Sequence, residues 1–569
     1  MAHCLHCVAI PSSTFRKLGI SDIPTKKIPL GRWSKNTARC TLQTEKQGST
    51  PSTGKGAVPG VRDTVWDQKQ LAVPSNPKLQ QNTHADVIVV GGGIAGISVA
   101  YNLAKAGKQV VVLEARAIGS GQTGKTTAHL MPWFDDYYFE AESTLGSDKL
   151  NLIADAQYGA IDWIENVVKE EGIECNFRRL PGYLVPVEDD QQNAEKIRKE
   201  YEACKRAGLN DVRLEDLKHD PKNGNFGMAL VFPNAGEFQP ILYVKGLAEA
   251  AKKHGAQIFE QTSVVQHEGT KVVTDAGHTV TAKALVLATN SPINKNLAIH
   301  ARQYARRSYV VGLKVPKGAI DRASWWDTAS PYHYVRLEDK DDYEVLVVGG
   351  EDHKVGIEPN QYLDRHGSLE AWARSHWPAA QELLYKWSGQ VYMPSDFLHL
   401  HGHDPLNTEN VYVATGDSGQ GMTGGTIAGV VISNSILGHK HRWGDLFDPS
   451  RFPPASLTSA QMLAQEVGEN IEGFKNVLPG QGLTKLTVDS ILLDEGAIIQ
   501  EGLNKEAVYR DSSGNVQRYS AICPHLGCAV KWNPSDKTFD CPCHGSQFDV
   551  QGVVVNGPSP TNLTPMSYN

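Results

Sequence analysis

The sequence predicts an α/β nucleotide-binding domain with an antiparallel β domain set into it, followed by a small all-β domain. Three observations predict this. A strand, a glycine turn, a helix and a second strand follow one another over 86–116. Alternating strand-like segments run over 306–350. After 480, a β pattern punctuated by glycine turns carries two short loops of Cys and His. In the first unit, 86–90 is a short β-branched apolar run, which reads as a buried parallel strand. Gly91, Gly93 and Gly96 follow in G-x-G-x-x-G spacing. The first allows the tight turn, the second lets a diphosphate reach the backbone, and the third lets the helix pack close. The helix over 94–106 stops at Gly107, and the strand over 110–113 ends at Glu114, where a ribose hydroxyl needs an acceptor. The helix N-terminus adds N–H groups and a positive dipole end. A tight turn that binds nothing is the alternative, but strand, helix and acid are all present, so a dinucleotide is expected here.

At 569 residues the chain implies two or three domains, with the apolar and charged fractions of an ordinary globular protein. No window of about 18 residues is apolar and charge-free, so no transmembrane segment is expected. Residues 1–60 hold nine Lys or Arg against Asp22 and Glu45, a surplus of seven positive charges. Since the whole chain carries −7, the rest carries −14, and an acidic body argues against nucleic acid as a partner. The acid-poor, Ser/Thr-rich front resembles a transit peptide, of plastid (chloroplast) rather than mitochondrial type. A plain disordered tail is the alternative for this segment, and mitochondrion or cytoplasm the alternative location. Cys4 and Cys7 in that front form a C-x-x-C without a second ligand pair and are set aside.

Next come the small and hydroxyl residues of 119–128, suited to wrapping a cofactor, and Trp133, Phe134, Tyr137, Tyr138 and Phe139, which line a pocket or pack in the core. Helices are expected over 150–170, 190–207 and 238–255, and strands over 177–187, 257–260, 262–264, 279–280 and 284–288. A hairpin is expected across 340–342. A strand at 411–414 leads through a second glycine-rich loop, 416–425, into a helix over 426–437. Over about 84–452 this arrangement resembles the D-amino-acid oxidase-like FAD-dependent oxidoreductases. The matching pieces are the glycine fingerprint with Glu114, the Gln239 to Gly255 helix, the strand ending in Thr289-Asn290, and the Gly416-Asp417…Gly421-Met422 loop. The resemblance implies a Rossmann-like, glutathione-reductase-type FAD-binding domain. It implies that Val264 lies beside the adenine and that Gly421 and Met422 lie near the pyrimidine end of the flavin. It also implies an antiparallel substrate sheet, discontinuous around 177–187 and 306–350.

The middle of the chain has no second G-x-G-x-x-G, so NAD(P)H is not the expected donor. No cysteine occurs between Cys204 and Cys523, so FAD is expected to be held without a cysteinyl bond there. Arg306, Arg307 and Arg336 are candidates to clamp a carboxylate, with a solvent-facing strand arginine as the alternative for each. His353 is a candidate base, with a structural role as the alternative. No catalytic residue is assigned, since in such enzymes the flavin itself takes the hydride.

A linker with a short bridging helix is expected over 453–479, then a β domain over 480–569. In it, Cys523-Pro-His525-Leu-Gly-Cys528 and Cys541-Pro-Cys543-His544-Gly-Ser546 each mix Cys with His. Two thiolates and two imidazoles on paired loops suit a [2Fe–2S] centre with histidine replacing cysteine on one iron; a zinc site of the same donors is the alternative. The pattern resembles the Rieske domain. That resemblance implies Cys523 and Cys541 on one iron, His525 and His544 on the other, and a disulfide between Cys528 and Cys543 as in the cytochrome-complex type. It also implies a hydrogen bond from Ser546 to a bridging sulfide. Phe548 stands where high-potential relatives have tyrosine, which implies an intermediate potential.

The whole chain resembles fusions of these two modules. Oxidation of a small-molecule amine or amino acid is expected, with electrons leaving FAD through the cluster to a one-electron carrier such as a ferredoxin or a quinone-linked acceptor. Two alternatives stay open: a ferredoxin-fed reductase with the current reversed, and a redox sensor without turnover.

Overall fold

Burial at every position marks the central layer. Val87–Val90, Val110–Leu113, Ala284–Leu287 and Val411–Thr415 have no exposed residue, as parallel strands covered on both faces require. In this computed structural model they lie in one six-stranded sheet. Its order is Leu400–His403, Val411–Thr415, Ala284–Leu287, Val87–Val90, Val110–Leu113, Gln257–Phe259. All neighbours run parallel except Leu400–His403, an antiparallel edge. The residues described are 61–62, 64–66, 74–133, 135–188, 190–293, 297–356, 364–405, 407, 409–451, 486–501 and 504–566. The basic front with Cys4 and Cys7, Phe134 and the bridging helix expected over 453–479 lie outside them.

The fingerprint helix, Ile94–Lys105, sits against Pro240–Lys253 and Gly421–Ile436. It buries Ile94, Ile97, Val99 and Leu103, each contributing about 1.5–3 kcal/mol. The second glycine-rich helix starts at Gly421, five residues before the expected Thr426. Its glycines serve the approach of two helices. A Cβ on Gly425 would stand 2.7 Å from Ile94 Cγ2, and one on Gly429 2.5 Å from Ser98 Cβ.

The second layer is a ten-stranded sheet. Its order is Val61–Arg62, Leu383–Pro394, Gln303–Val315, Glu344–Lys354, Tyr334–Asp339, Ser324–Asp327, Arg178–Val185, Met228–Glu237, His129–Leu130, with Arg213–Asp216 also on Met228–Glu237. It is antiparallel but for Ser324–Asp327 beside Arg178–Val185. Asp339 pairs with Glu344 across the expected hairpin. The C-terminal part folds into two antiparallel sheets. One holds Glu495–Glu501, Asn504–Arg510 and Val516–Ser520; the other holds Lys531–Asn533, Thr538–Asp540, Gln547–Phe548 and Val554–Asn556. Among the described residues, no helix is long and apolar enough to cross a membrane.

Candidate functional site

One long cavity runs along the C-terminal ends of the parallel strands, where open α/β sheets hold their ligands. Gly91, Gly92, Gly93, Ile94, Glu114, Val264, Asp417, Gly421 and Met422 line it. Gly92 N–H donates to Glu114 Oε2 at 2.7 Å and Arg116 N–H to Oε1 at 2.8 Å, which fixes the carboxylate with lone pairs to spare. The first helical N–H, that of Ile94, is taken by Thr123 Oγ1 at 3.0 Å.

The three fingerprint glycines have different reasons. A Cβ on Gly91 would stand 2.3 Å from Ala288 O, and one on Gly96 2.0 Å from Gly91 O. Those two are demanded by backbone packing, and Gly96 does not reach the cavity. Gly93 has an ordinary extended backbone, φ −80° and ψ −177°, and a Cβ there would meet only Thr123 Oγ1 at 3.1 Å. The space its missing side chain leaves opens into the cavity, as a diphosphate approach requires. The residues therefore fit FAD. Gly416 is also away from the cavity: it turns the chain at φ +71°, and its carbonyl accepts from His399 Nδ1 at 2.9 Å.

The structure corrects the arginine readings. Arg336 is 2 % exposed and holds the loop before the second layer: Nη1 donates to the carbonyls of Thr127, Ala128 and Phe238, and Nη2 to Glu338 at 2.8 Å. Arg307 is fully buried and forms an ion pair with Asp536 of the C-terminal domain, Nε to Oδ2 at 3.2 Å. Neither faces solvent and neither is free to clamp a substrate. Arg306 is not on the cavity wall. His353 is off the cavity too; burial, then Arg365, pushes its imidazole down to about 3, so it is no base at ordinary pH. Trp133 and Tyr138 pack around Glu200, with Trp133 Nε1 donating to Glu200 Oε1 at 2.8 Å. Trp133 and Tyr138 are core, and Tyr137 and Phe139 pack half-buried against them.

What reaches the cavity from the same stretch is Asp135. With Trp326, Tyr332, Tyr334 and Asp352 it forms an end of the cavity that the sequence reading missed. Asp135 accepts from Tyr332 Oη at 2.7 Å. A Cβ on Gly419 would lie 2.5 Å from Asp135 Oδ2, which puts this end against the late glycine loop.

The two Cys/His loops close in the same way. Cys523 N–H donates to Cys528 O at 2.8 Å and Gly527 N–H to Cys523 O at 3.0 Å. Cys541 N–H donates to Ser546 O at 2.7 Å and Gly545 N–H to Cys541 O at 3.0 Å. Gly527 and Gly545 take left-handed φ of +85° and +73°, where a side chain would be strained. Cys528 and Cys543 are joined as a disulfide, so although they lie near Cys541 they are not thiolate donors. The other Cys and His of the two loops, Cys523, Cys541, His525 and His544, are all buried. The two imidazoles are 5.0 Å apart. Burial, then His300 and His525, pushes His544 down to about 2, leaving it neutral. The Cys541 and Ser546 hydrogen bonds draw the Cys523 thiol below its ordinary range. Two thiols and two imidazoles on matched loops fit a [2Fe–2S] cluster with mixed ligation. Phe548 lies in the domain core, fully buried.

The cluster loops are docked on the larger domain. His300 stands 4.8 Å from the rings of both His525 and His544. Tyr392 Oη donates to His544 O at 2.9 Å, and Gln390 Nε2 to Gly545 O at 3.0 Å. Ser388 Oγ donates to Asp536 at 2.8 Å. Val554, Asn556, Gly557, Ser559 and Pro560 of the C-terminal domain complete the wall of the cavity.

The family model "FAD dependent oxidoreductase" (DAO) matches residues 86–434, and the Rieske [2Fe-2S] domain model matches 493–567. The chain belongs to the FAD dependent oxidoreductase family. Its Rieske module is shared by a relative named a Rieske 2Fe-2S iron-sulfur protein, YhfW, of Bacillus subtilis (strain 168). The two are 30% identical over 503 residues, 87% of this chain and 96% of that one. The gamma-glutamylputrescine oxidoreductase of Escherichia coli (strain K12) is 26% identical over 66% of this chain and 89% of its own length. Among solved structures, glycine oxidase from Geobacillus kaustophilus superposes with a TM-score of 0.55 at 18% identity, over 65% of this chain and 100% of that one. That likeness speaks for the fold. This FAD dependent oxidoreductase binds FAD in its first domain and a [2Fe–2S] cluster in its second.

Proposed function

We propose that this oxidoreductase oxidises an amine or amino acid and passes the electrons through its Rieske domain to an external one-electron carrier. Held along Gly93, Glu114 and Met422, FAD would supply acceptance of a hydride from the carbon beside nitrogen, and a [2Fe–2S] cluster held by Cys523, Cys541, His525 and His544 would supply single-electron transfer. The observation that carries the reading is a pair of residues belonging to both sites. Gln390 lines the FAD cavity and hydrogen-bonds Gly545, the neighbour of His544. Ser559 lines the same cavity and its N–H donates to Ser546 Oγ at 3.0 Å, beside Cys523. Such continuity, with Arg307 and Ser388 fastening Asp536, supports transfer inside one chain. The relative that acts on gamma-glutamylputrescine supports the amine class.

Anaerobic mixing with a reducing amine tests this. Flavin bleaching is expected first, then loss of cluster absorbance in a first-order phase whose rate does not change with protein concentration. A second phase that scales with protein concentration would mean transfer between molecules and would sink the internal relay.

A further inference from the structure

We propose that the end of the cavity built from Asp135, Asp352, Trp326, Tyr332 and Tyr334 binds an ammonium group of the substrate that is not itself oxidised, so that the substrate is a di- or polyamine rather than an α-amino acid. The proposal rests on the amine-oxidising reading above and narrows it.

The wall at this end has carboxylates and aromatic residues. Asp352 is 8 % exposed and lines the cavity, and its Oδ1 has no hydrogen-bond partner. A buried acceptor left unmade is costly, and an N–H donor in the cavity would satisfy it. Asp135 lines the same end and shares one oxygen with Tyr332 Oη. Trp326, Tyr332 and Tyr334 add aromatic rings to the same wall, a residue type whose faces attract a desolvated cation.

The cations on the cavity wall stand elsewhere. Arg116 donates to Val555 O, and Lys125 lies among Arg307, Asp536 and Asp540 on the Rieske side. Arg306 is near enough to favour ionisation of Asp135, Asp136 and Asp352, yet burial outweighs it and all three carboxyls are raised, Asp352 to about 6. Among the described residues, then, this end has two cavity-facing acids and no arginine or lysine on the wall to take a substrate carboxylate. An ammonium held by these acids keeps its proton and has no lone pair to form the C=N bond of oxidation. The nitrogen that reacts must be a second, neutral one.

The test uses the full chain with both cofactors, and 1,4-diaminobutane, n-butylamine and L-alanine as probes. Each is followed by anaerobic flavin bleaching and by perturbation of the oxidised flavin spectrum, which reads binding without turnover. The diamine is expected to half-saturate at a concentration about tenfold or more below butylamine. In Asp352→Asn and Asp135→Asn that preference is expected to collapse towards one. L-alanine bound better than the diamine would overturn the proposal, since protonated acids can donate to a carboxylate. An Asp352→Asn chain that keeps flavin, cluster and the full diamine preference would overturn it as well. If the diamine perturbs the spectrum in an Asp352-dependent way but no probe bleaches the flavin, the oxidation reading falls and this site stands; if no probe does either, the site falls.

Discussion

Gly93→Val is expected to give a folded chain that has lost its flavin, with FAD content down by about tenfold or more, because overpacking even an apolar site costs ~1–3 kcal/mol. Nothing in the protein itself demands a glycine there. The backbone is extended at φ −80°, and an added Cβ meets only Thr123 Oγ1 at 3.1 Å. The valine methyls would instead fill the space through which the diphosphate approaches. Gly96→Val is the contrasting variant: its Cβ would fall 2.0 Å from Gly91 O, so it should lose the fold as well as the cofactor. The check is flavin released on denaturation, with the EPR signal of the cluster as the measure of folding. A Gly93→Val chain with full flavin would place the diphosphate elsewhere.

Arg307→Ala should uncouple the two cofactors while leaving both bound. The Arg307 guanidinium is fully buried between Asp536, at 3.2 Å, and Asp540, at 4.0 Å. Removing one partner of a buried ion pair leaves an uncompensated charge and costs about 3–5 kcal/mol. Here that cost falls on the contact between domains, because both acids belong to the Rieske domain. Flavin bleaching is expected to persist and cluster reduction to slow by at least tenfold. A second change, Asp536→Asn, should restore part of the rate by removing the orphaned charge. Stopped-flow traces at the flavin and cluster bands measure both. Unchanged transfer would show that the ion pair does not hold the docked state.

The parts of the fold that sequence made legible are those written in local pattern. The fingerprint unit and the two Cys/His loops each lie within some thirty residues, and their turns need glycine at fixed places. The misreadings come from contacts made far along the chain. Arg307 looked like a substrate clamp or a surface residue because Asp536, which takes its charge, arrives from another domain. Strand alternation puts Arg306 and Arg307 on opposite faces but does not say what covers either. Asp135 sits in a run of aromatics and Asp352 beside a more conspicuous histidine, and only the folded sheet brings them to one wall. Met228–Glu237 escaped notice because Pro233 and Gly236 argue against a strand, and Leu383–Pro394 because Gly389 interrupts it. The helix Arg365–His376 is absent from the sequence reading; the structure caps it with Asp364, which accepts from Gly367 N–H at 3.0 Å.

The proposed relay makes one thermodynamic demand: electrons taken up at the FAD cavity must find the Rieske centre at equal or lower energy. Histidine-ligated clusters span about −150 to +300 mV, and each ~59 mV changes a one-electron equilibrium tenfold. Redox titration of flavin and cluster in one sample, the first by its absorbance and the second by EPR, measures this directly. A cluster midpoint at or above that of the flavin is the predicted result; a cluster well below the flavin would contradict flow from substrate to Rieske domain.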